Sequence, residues 1–134
     1  MLLDAGAKVL VVAPEIDEAL ARHPGVTPLF ARFDVPHLEG VTLIVAATDD
    51  RAVNTMVSEL ARARNIPVNV VDDPKLCSFI MPSILDRSPL IVAFSSGGSS
   101  PVLARMLRGK LETMIPQSYS RLVAFAERFR EVVK

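Results

Sequence analysis

The sequence predicts an α/β chain. Three short β-branched apolar runs, 8–13, 41–47 and 68–71, alternate with two stretches of helical spacing, and such alternation builds a parallel sheet with crossover helices. After position 73 the pattern changes to two extended runs separated by four residues and then two helices, a small α+β region. Parallel sheets meet their ligands beyond the carboxyl ends of the strands. The candidate ligand positions are therefore Ala13-Pro14, Thr48-Asp49-Asp50 and Asp72-Asp73.

Each element has a local reason. Lys8–Ala13 (KVLVVA) is a continuous apolar run closed by Pro14, the kind a sheet covers on both faces. Ile16–Arg22 has helical spacing with acids in its first turn, and His23-Pro24-Gly25 stops it. Val26–Phe33 reads as a partly exposed strand. Val41–Ala47 (VTLIVAA) is the clearest strand, and it leads into Thr48-Asp49-Asp50, a helix-capping cluster. From there to Arg64, Val53, Met56, Val57, Leu60 and Ala61 form a helical stripe. Pro67 breaks it, and Val68–Val71 makes a third strand. Ser78–Leu85 and Leu90–Phe94 form a hairpin-type pair, with Pro82 confining the first run to an edge or bulge. Ser100 as cap and Pro101 at the first helical position start a helix that Pro116 ends. A last amphipathic helix covers roughly 118–133.

At 134 residues the chain is one domain, or a small core with an appendage. Half of its residues are hydrophobic and its mean hydropathy is +0.35, yet no apolar run approaches the roughly 20 residues of a membrane span. The excess is assigned to covered strands and a subunit interface. Fifteen basic and fifteen acidic residues cancel, so no global field draws in nucleic acid or an anionic membrane. The single cysteine, Cys77, excludes an intrachain disulfide and a cysteine-based zinc site, as suits a reducing cytoplasm.

Three segments carry residue types fit for chemistry. Asp72 closes a buried-type strand, where an α/β enzyme places a general base; an Asp-Pro turn or helix cap explains the same position. Ser95-Ser96-Gly97-Gly98-Ser99-Ser100 feeds a helix N-terminus whose backbone donors and dipole suit an anion. Arg87, Arg105, Arg108 and Lys110 add positive charge, and a plain strand-to-helix connection is the competing reading. Thr48 and Asp49 stand where a nucleotide would meet the sheet, but capping accounts for them too. His23 and His37 read as surface residues, and Cys77 as a small buried hydrophobe.

Six strings occur in one family's order: 3–7 (LDAGA), 46–50 (AATDD), 69–72 (NVVD), 77–84 (CSFIMPSI), 86–90 (DRSPL) and 95–105 (SSGGSSPVLAR). On these the chain resembles the precorrin-2 dehydrogenase and sirohydrochlorin ferrochelatase module of siroheme synthase. The resemblance implies an incomplete Rossmann-like NAD-binding domain over 1–77, a dimerisation and tetrapyrrole-pocket region over 78–115, and a C-terminal helix over 116–134. It implies NAD-dependent oxidation of precorrin-2 to sirohydrochlorin, followed by insertion of Fe²⁺ as a substrate to give siroheme, in a cytoplasmic homodimer. Asp72 takes the acid–base role, and Thr48, Asp49 and Asn69 belong to the cofactor side. Ser95, Ser96, Gly97, Gly98, Ser99 and Arg105 belong to the tetrapyrrole side. Against the family pattern the sequence starts at the end of the first helix, so the first strand and glycine-rich pyrophosphate turn are expected to lie outside these residues. A non-catalytic tetrapyrrole-binding or assembly module is the alternative, and a generic Rossmann-like structural subunit explains the strands but not the strings.

Overall fold

A computed structural model describes residues 2–130. The α/β class holds, with the strands paired in twos: β1 (Val9–Ala13) with β2 (Val26–Phe30), β3 (Ile44–Ala46) with β4 (Val68–Val70), and β5 (Ser83–Arg87) with β6 (Leu90–Phe94). The first pair is parallel, running from Val9 opposite Val26 to Ala13 opposite Phe30. Helix α1 (Glu18–Ala21) makes that crossover, and α2 (Arg51–Ala63) links β3 to β4. The chain divides into two compact units, Met1–Val68 and Asn69–Lys134.

In the first unit, α1 is shorter than the helical spacing predicts. Asp17 is its cap, with Oδ1 accepting from the Ala19 and Leu20 N–H groups at 2.9 and 3.3 Å, so the helix begins only at Glu18. Helix α2 starts after Asp50, whose Oδ1 accepts from Ala52 and Val53 at 2.8 and 3.3 Å. Its buried face is Asn54, Val57, Ser58 and Ala61, turned from the expected stripe so that Met56 is exposed. Ala61 has no exposed surface, and the small side chains at 58 and 61 let the helix approach closely. Val26, Leu38, Ala46, Val57 and Val68 complete this core. Strand β3 runs beside the chain entering β4, the Ile44 N–H donating to the Pro67 carbonyl at 2.9 Å. Leu10 and Val45 are 45% and 41% exposed, so β1 and β3 are not covered on both faces as their apolar runs predict; within this unit the short α1 and the single long α2 shield only part of the sheet surface.

In the second unit, β5 and β6 are antiparallel, with Ser83 opposite Phe94 and Arg87 opposite Leu90. Strand β5 starts at Ser83 rather than Ser78 because Pro82 lacks the N–H a ladder needs. Helix α3 (Pro101–Met114) packs on this hairpin, with Ala104 buried on the helix and Leu85 buried on β5. Helix α4 (Ser118–Arg130) contacts β6; the part of the predicted helix beyond 130 lies outside the described residues. The Arg87 guanidinium ties the hairpin to the end of α3, its Nε donating to the Ile115 carbonyl at 2.9 Å.

Candidate functional site

Asp72 and the serine–glycine loop lie in the same compact unit. Asp72 lies in the turn after β4, one residue beyond the strand end, and has φ +60°, the left-handed conformation that aspartate tolerates better than most residues. Its side chain is exposed. A single-turn 3₁₀ helix, Pro74–Leu76, follows it. The base of this loop is held by Cys77: the Val70 N–H donates to Sγ at 3.1 Å, and the thiol reaches the Val70 and Asp73 carbonyls at 3.2 and 3.4 Å. Cys77 is therefore half-buried and hydrogen-bonded, where the sequence predicts a small buried hydrophobe. Asn69 points into the same region, its amide donating to the Phe79 carbonyl at 3.0 Å and to Cys77 Sγ at 3.6 Å.

The loop 95–100 is braced by its own hydroxyls. Ser95 Oγ accepts from the Gly97 N–H at 3.2 Å, Ser96 Oγ from the Ser100 N–H at 2.8 Å, and Ser100 Oγ from the Leu103 N–H at 3.3 Å. The Ser96 carbonyl accepts from the Ser99 N–H at 3.1 Å. Much of the expected donor set is thus turned to holding the loop's shape. Gly97 and Gly98 have φ +62° and +85°, which explains why glycine stands at both. A Cβ added to Gly98 would lie 3.6 Å from Pro74 Cβ and equally far from Ile80. The serine–glycine loop is therefore seated against the Asp72 loop, two residues beyond the carboxylate.

The cations divide. Arg87 is engaged with Ile115 and, at 3.7 Å, with Glu112, while Arg108 stands 3.7 Å from the same Glu112. Arg105 and Lys110 are exposed on α3. Asp86 Oδ1 accepts from the Ser88 hydroxyl at 2.6 Å and the Ser88 N–H at 2.7 Å. These bonds, the hydroxyl's foremost, hold its carboxyl below the ordinary value of 3.8.

In the first unit, the loop after β3 has a definite shape. Thr48 and Asp49 are exposed, Asp50 caps α2, and the buried Asn54 carboxamide is bonded to Thr48, Nδ2 donating to its carbonyl at 2.8 Å. Sequence reasoning missed Asn54, because a polar residue inside a helix gives no signal of what its side chain meets six residues upstream. A nucleotide fits this loop in one respect: exposed oxygen acceptors on a rigid backbone at a strand's carboxyl end. Asn69 contributes differently, since its amide holds the fold around Phe79. Among the described residues, no group of three or more His, Cys, Asp or Glu side chains could hold a metal ion, and no helix is long and apolar enough to cross a membrane.

These features define an α/β nucleotide-binding class of protein, and the relatives narrow it. A family of NAD(P)-binding domains matches residues 1–83, and the chain belongs to it. Along its whole length the chain is 57% identical to siroheme synthase of Methylobacillus flagellatus and 53% identical to that of Pseudomonas entomophila. It spans 29% and 30% of those proteins. A solved structure titled SirC, precorrin-2 dehydrogenase, superposes with a TM-score of 0.76 at 25% identity, over 98% of this chain and 65% of that one. The fold expectation and the siroheme synthase resemblance are thereby established, and the NAD(P)-binding family supports the expected cofactor, NAD.

Proposed function

We propose that this chain supplies the NAD-dependent dehydrogenase part of siroheme formation, oxidising precorrin-2 to sirohydrochlorin in the cytoplasm, within a homodimer. The observation that supports the reading is the seating of Gly98 against Pro74, two residues along the chain from Asp72. NAD⁺, when bound, supplies hydride acceptance. Thr48, Asp49 and Asn69 hold the nucleotide side, and Asn69 also braces the strand that leads to Asp72. The carboxylate of Asp72 accepts or returns the proton that accompanies oxidation. It stands on an exposed loop, as a group that must reach a bulky substrate does.

The tetrapyrrole carries several carboxylates, and Ser95 to Ser99 with Arg105 receive them. Gly97, whose missing side chain faces open space, lets the macrocycle approach backbone, and the hydroxyl braces keep the loop from collapsing. Arg105 can pair with a carboxylate through a two-point fork. Fe²⁺ enters as a second substrate at the same pocket, giving siroheme; the acid–base residue is again Asp72, which takes up protons displaced from the macrocycle.

The test is the rate of precorrin-2 oxidation, followed by absorbance with and without NAD⁺, in the full-length protein carrying this segment. Asp72→Asn is expected to lower turnover roughly a hundredfold or more, the scale of a lost general base, with NAD⁺ binding retained. Turnover equal to wild type in that variant would remove the assignment. A protein that takes up sirohydrochlorin but ignores NAD⁺ would instead be a tetrapyrrole-binding module.

A further inference from the structure

The carboxamide of Asn54 is 8% exposed and makes three bonds to a single residue. Its Oδ1 accepts from the Thr48 hydroxyl at 2.8 Å and from the Thr48 N–H at 3.4 Å, while Nδ2 donates to the Thr48 carbonyl at 2.8 Å. The amide's orientation is forced. The Thr48 N–H can only donate and its carbonyl can only accept, so the oxygen must face the first and the nitrogen the second. The Thr48 hydroxyl reaches a second acceptor, the Asp50 carbonyl, at 3.1 Å. One acceptor is on α2 and the other belongs to the residue that caps it. Whichever one holds the proton, the exposed threonine oxygen is left with lone pairs alone.

We propose that Asn54 is the positioning residue of the nucleotide loop, fixing Thr48 as an acceptor-only group toward the ligand. Its complement is a hydroxyl donor, such as those of a ribose, and not a phosphate oxygen. Asp49, exposed beside it, is an acceptor of the same sense. A threonine free to rotate would present donor and acceptor equally; the Asn54 oxygen and the Asp50 carbonyl together remove that choice, and Asn54 also holds the Thr48 N–H and carbonyl, so the loop is set before the ligand arrives, which is the usual benefit of preorganisation. The inference rests on the reading of Thr48 and Asp49 as cofactor contacts, and the experiment separates the two.

NAD⁺ affinity and sirohydrochlorin affinity are measured by titration calorimetry on the full-length protein for wild type and four variants. Thr48→Val and Asp49→Ala test the loop; Asn54→Ala and Asn54→Asp test the clamp. Thr48→Val is expected to weaken NAD⁺ binding, and Asn54→Ala to weaken it about tenfold, the scale of one well-placed hydrogen bond, with sirohydrochlorin affinity unchanged. Asn54→Asp keeps the acceptor for the hydroxyl and loses the donor to the carbonyl, so it should fall between. If Thr48→Val and Asp49→Ala both bind NAD⁺ as wild type does, the cofactor reading of the loop is wrong. If Thr48→Val weakens binding while Asn54→Ala does not, the positioning role is overturned. Should Asn54→Ala fail to fold, the near-isosteric Asn54→Leu, which removes both the acceptor and the donor, takes its place: wild-type NAD⁺ affinity there overturns that role equally, and equal loss of both ligands overturns it in favour of a role in the fold alone.

Discussion

Asp72 combines a chemical demand with a conformational one. At φ +60° an alanine would meet the left-handed penalty of roughly 1–2 kcal/mol, whereas asparagine shares aspartate's tolerance of that region. Asp72→Asn thus removes the charge and leaves the backbone in place, which makes it a cleaner probe than Asp72→Ala. Arg105 poses the opposite case. It is exposed on α3, near the start of the helix that the serine loop feeds. Arg105→Ala should weaken tetrapyrrole binding about tenfold, the value of one charged hydrogen bond, and leave NAD⁺ binding unchanged; equal losses for both ligands in parallel titrations would show that the pocket is elsewhere. At this scale the sequence is legible where a residue's role is local. Asp50 and Ser100 cap the helices they precede, as their residue type and spacing predict. Asn54 and Cys77 are not legible, because each acts on backbone groups six or seven residues away that only the folded loop brings within reach.

Among elements, the β5–β6 hairpin offers a pH test. Asp86 accepts two bonds from Ser88, and both favour its charged form. Its folded pKa is lowered below 3.8, so the protonated carboxyl is disfavoured in the native hairpin. The stabilisation is present above that ordinary value and is lost as pH falls through the lower, folded one. Removing the larger cause, the hydroxyl bond, in Ser88→Ala should raise the Asp86 titration midpoint toward the ordinary value, read by carboxyl NMR. A midpoint that does not move would mean the backbone bond alone sets it. The same hairpin shows where sequence patterns mislead. Residues 78–82 are as apolar as a strand, but Pro82 has no ladder donor and the Phe79 carbonyl accepts from Asn69, so pairing begins only at Ser83. In α2 the hydrophobic stripe points about one residue away from the face that is buried. Periodicity weighs Met56 above Ser58, while close packing favours the smaller side chain.

For the whole molecule, the alternation of strands and helices is enough to give the α/β class, because a parallel pair needs a crossover, which α1 supplies between β1 and β2, while α2 connects β3 to β4. What the apolar runs cannot tell is which surfaces this chain covers by itself. Helices α3 and α4 leave Val102, Met106, Met114, Leu122, Phe125 and Phe129 between 49% and 69% exposed. Phe125 and Phe129 touch each other with their rings tilted by 51°, centroids 4.7 Å apart, and both stay at least half exposed. That much apolar surface on neighbouring helical segments is the mark of an interface, and the proposed homodimer is the occupant consistent with the family resemblance. Burying a phenylalanine side chain contributes roughly 1.5–3 kcal/mol, so placing a carboxylate at both positions should outweigh the association. Phe125→Asp combined with Phe129→Asp is expected to shift the sedimenting species from two copies to one while circular dichroism keeps its helical signal. If the double variant sediments as the wild type does, these aromatics face something other than a second copy, and the subunit contact belongs elsewhere on the chain.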